Sequence, residues 1–214
     1  MEPQRLDIAF VSDVACPWCA IGLASLEQAL HRVGGEVPAA VRVEPFELNP
    51  DMGAEGAELV KYIARKYGRT PDQIAQVQAM IRERGAAVGF SFGPRTHVWN
   101  TLDAHRMLHW ASLEGRAIEL KRALLHAYHA DGRNPAAPDV LVELAEAVGL
   151  DPVRAKAIVE SREFEPEVRE RERYWLELGV GGVPFVLVNN KYAIEGAQSP
   201  EAYEQALRQI AVNG

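Results

Sequence analysis

The chain contains two cysteines, and they stand together as Cys16-Pro17-Trp18-Cys19. Two thiols separated by two residues across the start of a helix suit reversible disulfide chemistry. The first thiol lies beside the unpaired amides and the positive end of the helix dipole, where its thiolate is favoured. Cys16 is then the nucleophile. Cys19, one turn further in, can close a small disulfide ring and resolve a mixed disulfide with substrate. Pro17 fits the first helical turn, and Trp18 is expected to cover the sulfurs with an apolar surface. Two other readings compete. Half of a zinc site would need two more ligands. With no further cysteine, only His105 and His109, four apart on an expected helix, can complete a Cys2His2 set. The pair can also be two inert buried thiols.

A second signal is Gly179-Val180-Gly181-Gly182-Val183-Pro184-Phe185, directly before an apolar run. Read plainly, it is a turn whose glycines permit a sharp entry into a strand that begins at proline. Read more sharply, Val183-Pro184 is a cis bond that presents the Val183 backbone to an extended substrate and keeps metal ligands away from the thiols.

The elements needed to position these residues follow from periodicity. Leu6 to Val11 read as a strand with Ile8 and Phe10 on one face, and the cysteines come at once. From Pro17, Leu23, Leu26, Leu30 and Val33 fall on one helix face, ended by Gly34-Gly35. Val41 to Phe46 form a second strand, closed by Pro45. From about Glu55 to Arg162 the pattern turns helical, with alternation only around Phe90 to Phe92. Pieces are expected at Glu58–Tyr67, from the Thr70 cap and Pro71 to Ala87, from Thr101 to a break at Gly115, then Ala117–Ala130, Asp139–Val148 and after Asp151-Pro152. The last stretch is mixed again: a helix to Leu178, a strand at Phe185–Val188, an Asn189-Asn190 turn, Tyr192–Ile194, and a helix capped by Ser199 with Tyr203, Leu207 and Ile210 on one stripe. The chain thus divides at 1–54, 55–162 and 163–214, two halves of one α/β fold around a helical block.

Composition narrows the setting. Of 214 residues, 23 are basic and 30 acidic, for a net charge of -7, and no dense basic run offers phosphate contacts, so nucleic acid is not an expected partner. No stretch approaches the ~18 apolar residues of a spanning helix. The run Val14–Leu26 follows Glu2, Arg5, Asp7 and Asp13 rather than a positive segment, so it is read as mature structure and the protein as cytoplasmic. Two cysteines are too few for a disulfide-stapled scaffold.

Taken jointly, the Cys16–Cys19 motif after a first strand, a helical insertion, and Val183-Pro184-Phe185 before a terminal hairpin resemble the DsbA family, a thioredoxin fold with an all-helical insertion domain. The FrnE-like branch is the most similar, on Ser12 to Gly22, Asn100 to Arg106, Gly182 to Phe185, and Gly196-Ala197-Gln198. The resemblance implies a dithiol-disulfide oxidoreductase or isomerase acting on protein or small thiols, with no bound cofactor. It makes Cys16 the attacking thiol, Cys19 the resolving thiol and Pro184 the cis-proline facing them. Pro17, Trp18 and Val183 then meet substrate, and Asn100, His105 and Gln198 occupy motif positions beside them; His105 also reads as a packing histidine. One departure stands out. Thioredoxins and many DsbA proteins keep a buried acid six residues before the first cysteine, where this chain has Phe10, so any proton relay comes from elsewhere, with water or Asp13 the obvious substitute. Asp13 reads equally as a cap.

Two rivals remain. The 2-hydroxychromene-2-carboxylate isomerases and kappa-class glutathione transferases resemble the same architecture but carry Ser at the Cys16 position. A chaperone-like module would use a groove under Trp18, Phe90 and Phe92. Because the cytosolic glutathione pool keeps dithiols reduced, the expected work is reduction or isomerisation, drawing on glutathione or a thioredoxin system. The inserted helices offer either a homodimer surface or a client groove.

Overall fold

The computed structural model describes residues 5–213; Glu2, one of the N-terminal charges cited above, lies outside them. Strand β1 (Leu6–Ser12) is apolar on both faces because it is covered on both. Leu6, Ile8 and Phe10 pack against α1 (Pro17–Val33) and α9 (Pro200–Asn213). Ala9 and Val11 pack against Trp175 of α8 (Glu165–Glu177) and against Phe46. Parallel to β1 runs β2 (Ala39–Pro45), with Ile8 opposite Val41, and antiparallel to it on the other side runs β5 (Phe185–Val188), with Ile8 opposite Val188. Strand β6 (Tyr192–Glu195) completes the order β2-β1-β5-β6. Asn189 and Asn190 both adopt positive φ, as a two-residue hairpin turn requires.

Between β2 and α8 lie α2 (Leu59–Tyr67), α3 (Pro71–Ala87), α4 (Leu102–Leu113), α5 (Ala117–His129), α6 (Pro138–Ala147) and α7 (Pro152–Val159). The starts follow the caps: Thr70 and Gln73 form a reciprocal capping box on α3, and Asp151 accepts from the Val153 N–H on α7. Leu108, Leu120, Leu124, Leu141 and Leu144 form a core for this block, and Val14 of the β1–α1 loop is buried in the same core. The block therefore packs directly onto the segment that carries the cysteines.

Two details differ from the helical pattern. Ala57–Glu58 (β3) and His97–Val98 (β4) pair as a short antiparallel ribbon, too brief to leave any periodicity in the sequence. The alternation at Phe90 to Phe92 is not a strand. The two rings pack on each other with centroids 4.7 Å apart and join the clusters around Ile21, Ile81 and Leu125. Among the described residues, no helix is long and apolar enough to cross a membrane.

Candidate active site

Cys16 is the N-cap residue of α1, in extended conformation, with Pro17 in the first helical turn. Its thiol donates to the carbonyl of Val183 at 3.5 Å, and the Val183-Pro184 bond is cis. The loop before β5 is thus brought face to face with the helix start. Gly22 makes the approach possible, because a Cβ at that position would lie 2.9 Å from Cγ of Pro184. From behind, the Gly196 N–H donates to the Pro184 carbonyl at 2.9 Å.

Both thiols are free, with Cys16 3% exposed and Cys19 fully enclosed. Their environments push them apart. Hydrogen bonding from the Cys19 thiol, first of all, and from the N–H groups of Cys19 and Trp18 holds Cys16 below the ordinary thiol range, against burial and the Asp13 charge. Burial drives Cys19 well above that range, and Cys16 adds to the effect. The pair is therefore asymmetric in the sense its positions on α1 suggest: an easily ionised outer thiol and a protonated inner one.

Asp13 is the buried acid of the site. Its Oδ1 accepts from the Ala15 N–H at 3.0 Å and the Thr101 hydroxyl at 2.8 Å, and its Oδ2 accepts from the Leu48 N–H at 2.7 Å. Burial pushes its pKa up, but His105 and these amides outweigh that and hold the carboxyl below its usual range. Rather than capping α1 through its side chain, Asp13 ties together the cysteine loop, the segment after β2 and the start of α4. Phe10 is wholly buried in the apolar core.

The other sequence candidates fall in distinct places. His105 is buried, with Nε2 3.5 Å from Asp13 Oδ1 and neither ring nitrogen in a hydrogen bond. His109 packs on the Phe164 ring, centroids 5.0 Å apart, so the two histidines do not converge on the thiols. Among the described residues no cluster of three His, Cys, Asp or Glu is set to hold a metal. Trp18 packs with Ile21, Ile81 and Val88 and lies under the Arg84 guanidinium, 5.6 Å from the ring centre, docking α1 onto α3. Asn100 accepts from the Leu102 N–H at 2.8 Å and donates to Glu47 at 3.3 Å. Gln198 donates to the Glu195 carbonyl at 2.7 Å, within its own turn.

Three residues were not singled out from sequence. Thr101 reads from sequence as a helix start and as part of the Asn100 to Arg106 motif, with no role of its own. His129, whose pKa burial pushes far down, donates from Nε2 to the Val14 carbonyl at 2.8 Å. Lys121 is fully buried, and its Nζ makes no hydrogen bond. The sequence did hold a sign: Lys121, Leu125 and His129 recur every four residues on a buried helix face.

The family model described as "DSBA-like thioredoxin domain" matches residues 7–208. The probable DsbA oxidoreductase of Streptomyces coelicolor is similar at 33% identity and TM-score 0.88, covering 97% of this chain and 90% of that one. A 2-hydroxychromene-2-carboxylate isomerase shares the fold at 14% identity and TM-score 0.75, covering 98% of this chain and 97% of that one. So does the cytosolic disulfide reductase DsbM of Pseudomonas aeruginosa, solved with GSH, at 19% identity and TM-score 0.65, covering 95% of this chain and 98% of that one.

Proposed function

The chain belongs to the family of DSBA-like thioredoxin domains, and on that premise we propose that it is a thiol-disulfide oxidoreductase or isomerase working through Cys16 and Cys19 on protein or small-thiol substrates. The observation that carries this reading is the placement of Cys16 at the α1 N-terminus, 3.5 Å from the carbonyl that precedes cis-Pro184. In the reducing direction the Cys16 thiolate attacks one sulfur of a substrate disulfide, forming a mixed disulfide and expelling the other sulfur as a thiolate. Cys19 then attacks Cys16 Sγ, closing the Cys16–Cys19 bond and releasing the second thiolate, so two electrons pass from the pair to the substrate. The reverse sequence oxidises a dithiol.

The Val183 carbonyl links the two roles of the loop. While Cys16 is a thiol, that carbonyl is occupied. Once Cys16 ionises it has no proton to donate, and the carbonyl is free to accept from the backbone of an extended substrate. Reduced glutathione or a thioredoxin system is the proposed source of electrons, the cytosol the proposed setting, and no cofactor is invoked. The glutathione-dependent isomerase reading rests on shared fold and lacks a serine at the Cys16 position.

The test is a redox titration of the purified protein in glutathione buffers, followed by thiol trapping. A reversible two-electron transition, lost in Cys16→Ser, is expected, and its midpoint places the enzyme as oxidant, isomerase or reductant. Thiols that remain free throughout overturn the reading.

A further inference from the structure

Lys121 stands out once every buried polar group has been accounted for. A buried ammonium normally finds a carboxylate or several carbonyls, since leaving it unpaired is costly. Here the side chain is wholly enclosed and Nζ has no hydrogen-bond partner. Helix α5 lies along α1: Arg122 is paired with Glu27 at 2.6 Å, Leu125 packs in the cluster that holds Ala20 and Leu23, and His129 is bonded to Val14. Lys121 shares the face of Leu125 and His129. The ionisable groups around it are Asp13 in the β1–α1 loop, Cys16 and Cys19 on α1, and His129 on its own helix, with His105 of α4 beyond Asp13. The residues that β2 and α6 bring to the packing around Leu120 and Leu124 are apolar: Val43, Leu141 and Leu144. The strongest influence on Lys121 after burial is that of Cys19, and burial holds its amine below the usual lysine range.

The inner thiol has a matching difficulty. Cys19 must lose a proton to attack Cys16 Sγ, yet it is fully enclosed, and Phe10 occupies the position where a buried acid would otherwise stand. Asp13 is already engaged by three donors. We propose that Lys121 is the group that makes Cys19 reactive: its ammonium, which no hydrogen bond engages, lies on the α5 face packed toward α1 and stabilises the thiolate from which Cys19 attacks. The inference rests on the function proposed above and assigns its second step. In that step the Cys19–Cys16 S–S bond forms, the bond between Cys16 and the substrate sulfur breaks, and the substrate leaves as a thiolate. The proton that Cys19 loses goes to the departing thiolate or to solvent. No outside oxidant or reductant enters. An inserted helix thus supplies what the thioredoxin half lacks.

The experiment uses the full chain and dithiobis-nitrobenzoate as a small disulfide. Attack by Cys16 releases one thionitrobenzoate; the second leaves only when Cys19 attacks. Each release is followed by absorbance as a function of pH, in the wild type, in Lys121→Met and in Lys121→Gln. For both variants the second release is expected to slow by ~10-fold or more near neutral pH, with its pH midpoint moved upward by about one unit or more, while the first release stays within about twofold. A folded variant with an unchanged second release, or with both releases slowed equally, overturns the inference. A wild type that releases no second equivalent instead overturns the proposed function itself. Should Met prove incompatible with folding, Gln, which is one atom shorter but stays polar and carries no charge, decides the question alone.

Discussion

Arg106 on α4 and Lys121 on α5 are both buried cations of the helical block, at 3% and 0% exposure, and they are treated in opposite ways. Arg106 donates to Asp103 at 2.6 Å, to the Glu163 carbonyl at 2.7 Å, to the Ser161 carbonyl at 2.7 Å and to the Ile158 carbonyl. Its planar fork is filled, and it clamps the turn after α7 onto α4. Lys121 receives no such partner. A saturated buried charge holds structure together, because removing it strands its acceptors; an unsaturated one costs stability and is retained for what it does. The difference separates scaffold from chemistry within one small domain.

The largest expected effect tests the saturated side. Arg106→Met leaves three carbonyls and the Asp103 carboxylate without their donor and should cost about 3–5 kcal/mol, read as a lower urea midpoint. The midpoint of the Cys16/Cys19 redox transition should not move. Lys121→Met should give the mirror image, with stability equal to or above that of the wild type and altered second-step kinetics. Equal destabilisation by both substitutions breaks the comparison.

Next in size, Thr101→Val deletes one of three donors to a buried carboxylate, a loss of about 1.5–3 kcal/mol. The sign of its pH dependence follows from Asp13, whose folded pKa lies below the usual range. That contribution is present above the unfolded carboxylate range and disappears as pH falls through the folded value. With one donor gone the folded value rises, so acid unfolding of the variant should begin at higher pH, which circular dichroism along an acid titration would show.

The last effect, the smallest per pH unit, concerns an intermediate case. Glu47 accepts from Arg169 at 2.8 Å, but burial and the neighbouring Glu172, whose Oε1 has no partner, push its pKa up to about 8. The folded protein keeps a proton that the unfolded chain has already released, so stability should decline as pH rises toward about 8 and level off beyond it. The slope for one proton is at most about 1.4 kcal/mol per pH unit. Glu47→Gln should flatten it. An unchanged slope in that variant would assign the titration to another group.

The order of strands and helices was legible because periodicity and caps are local. Thr70 with Pro71, Asp151 with Pro152, and Asn189-Asn190 each announced a boundary in a few residues. The positions of Cys16, Cys19 and Pro184 were equally local, since spacing and flanking elements carry that information. What escaped was set by contacts between distant segments. Asp13 meets Leu48 and Thr101, and Asn100 meets Glu47, through bonds spanning 35 to 88 positions that no window contains. The ribbon of β3 and β4 is two residues a side and exists through the fold around it. Lys121 looked like any surface lysine unless its place among Leu124, Leu125 and His129 was weighed as a polar interruption of a buried face.

The position of β1 has a consequence for synthesis. Its parallel neighbour β2 follows it closely in the chain, but its other neighbour, β5, comes far downstream, where Asn189 meets Asp7 across 182 positions. A nascent chain can assemble α4 through α7 around their own apolar core while one flank of β1 still waits for its partner. The loop that faces Cys16 arrives with that strand. Until β5 has been made, the cysteines lack the surface across which they would act, and a product truncated before it would carry two thiols without the apparatus for exchanging them.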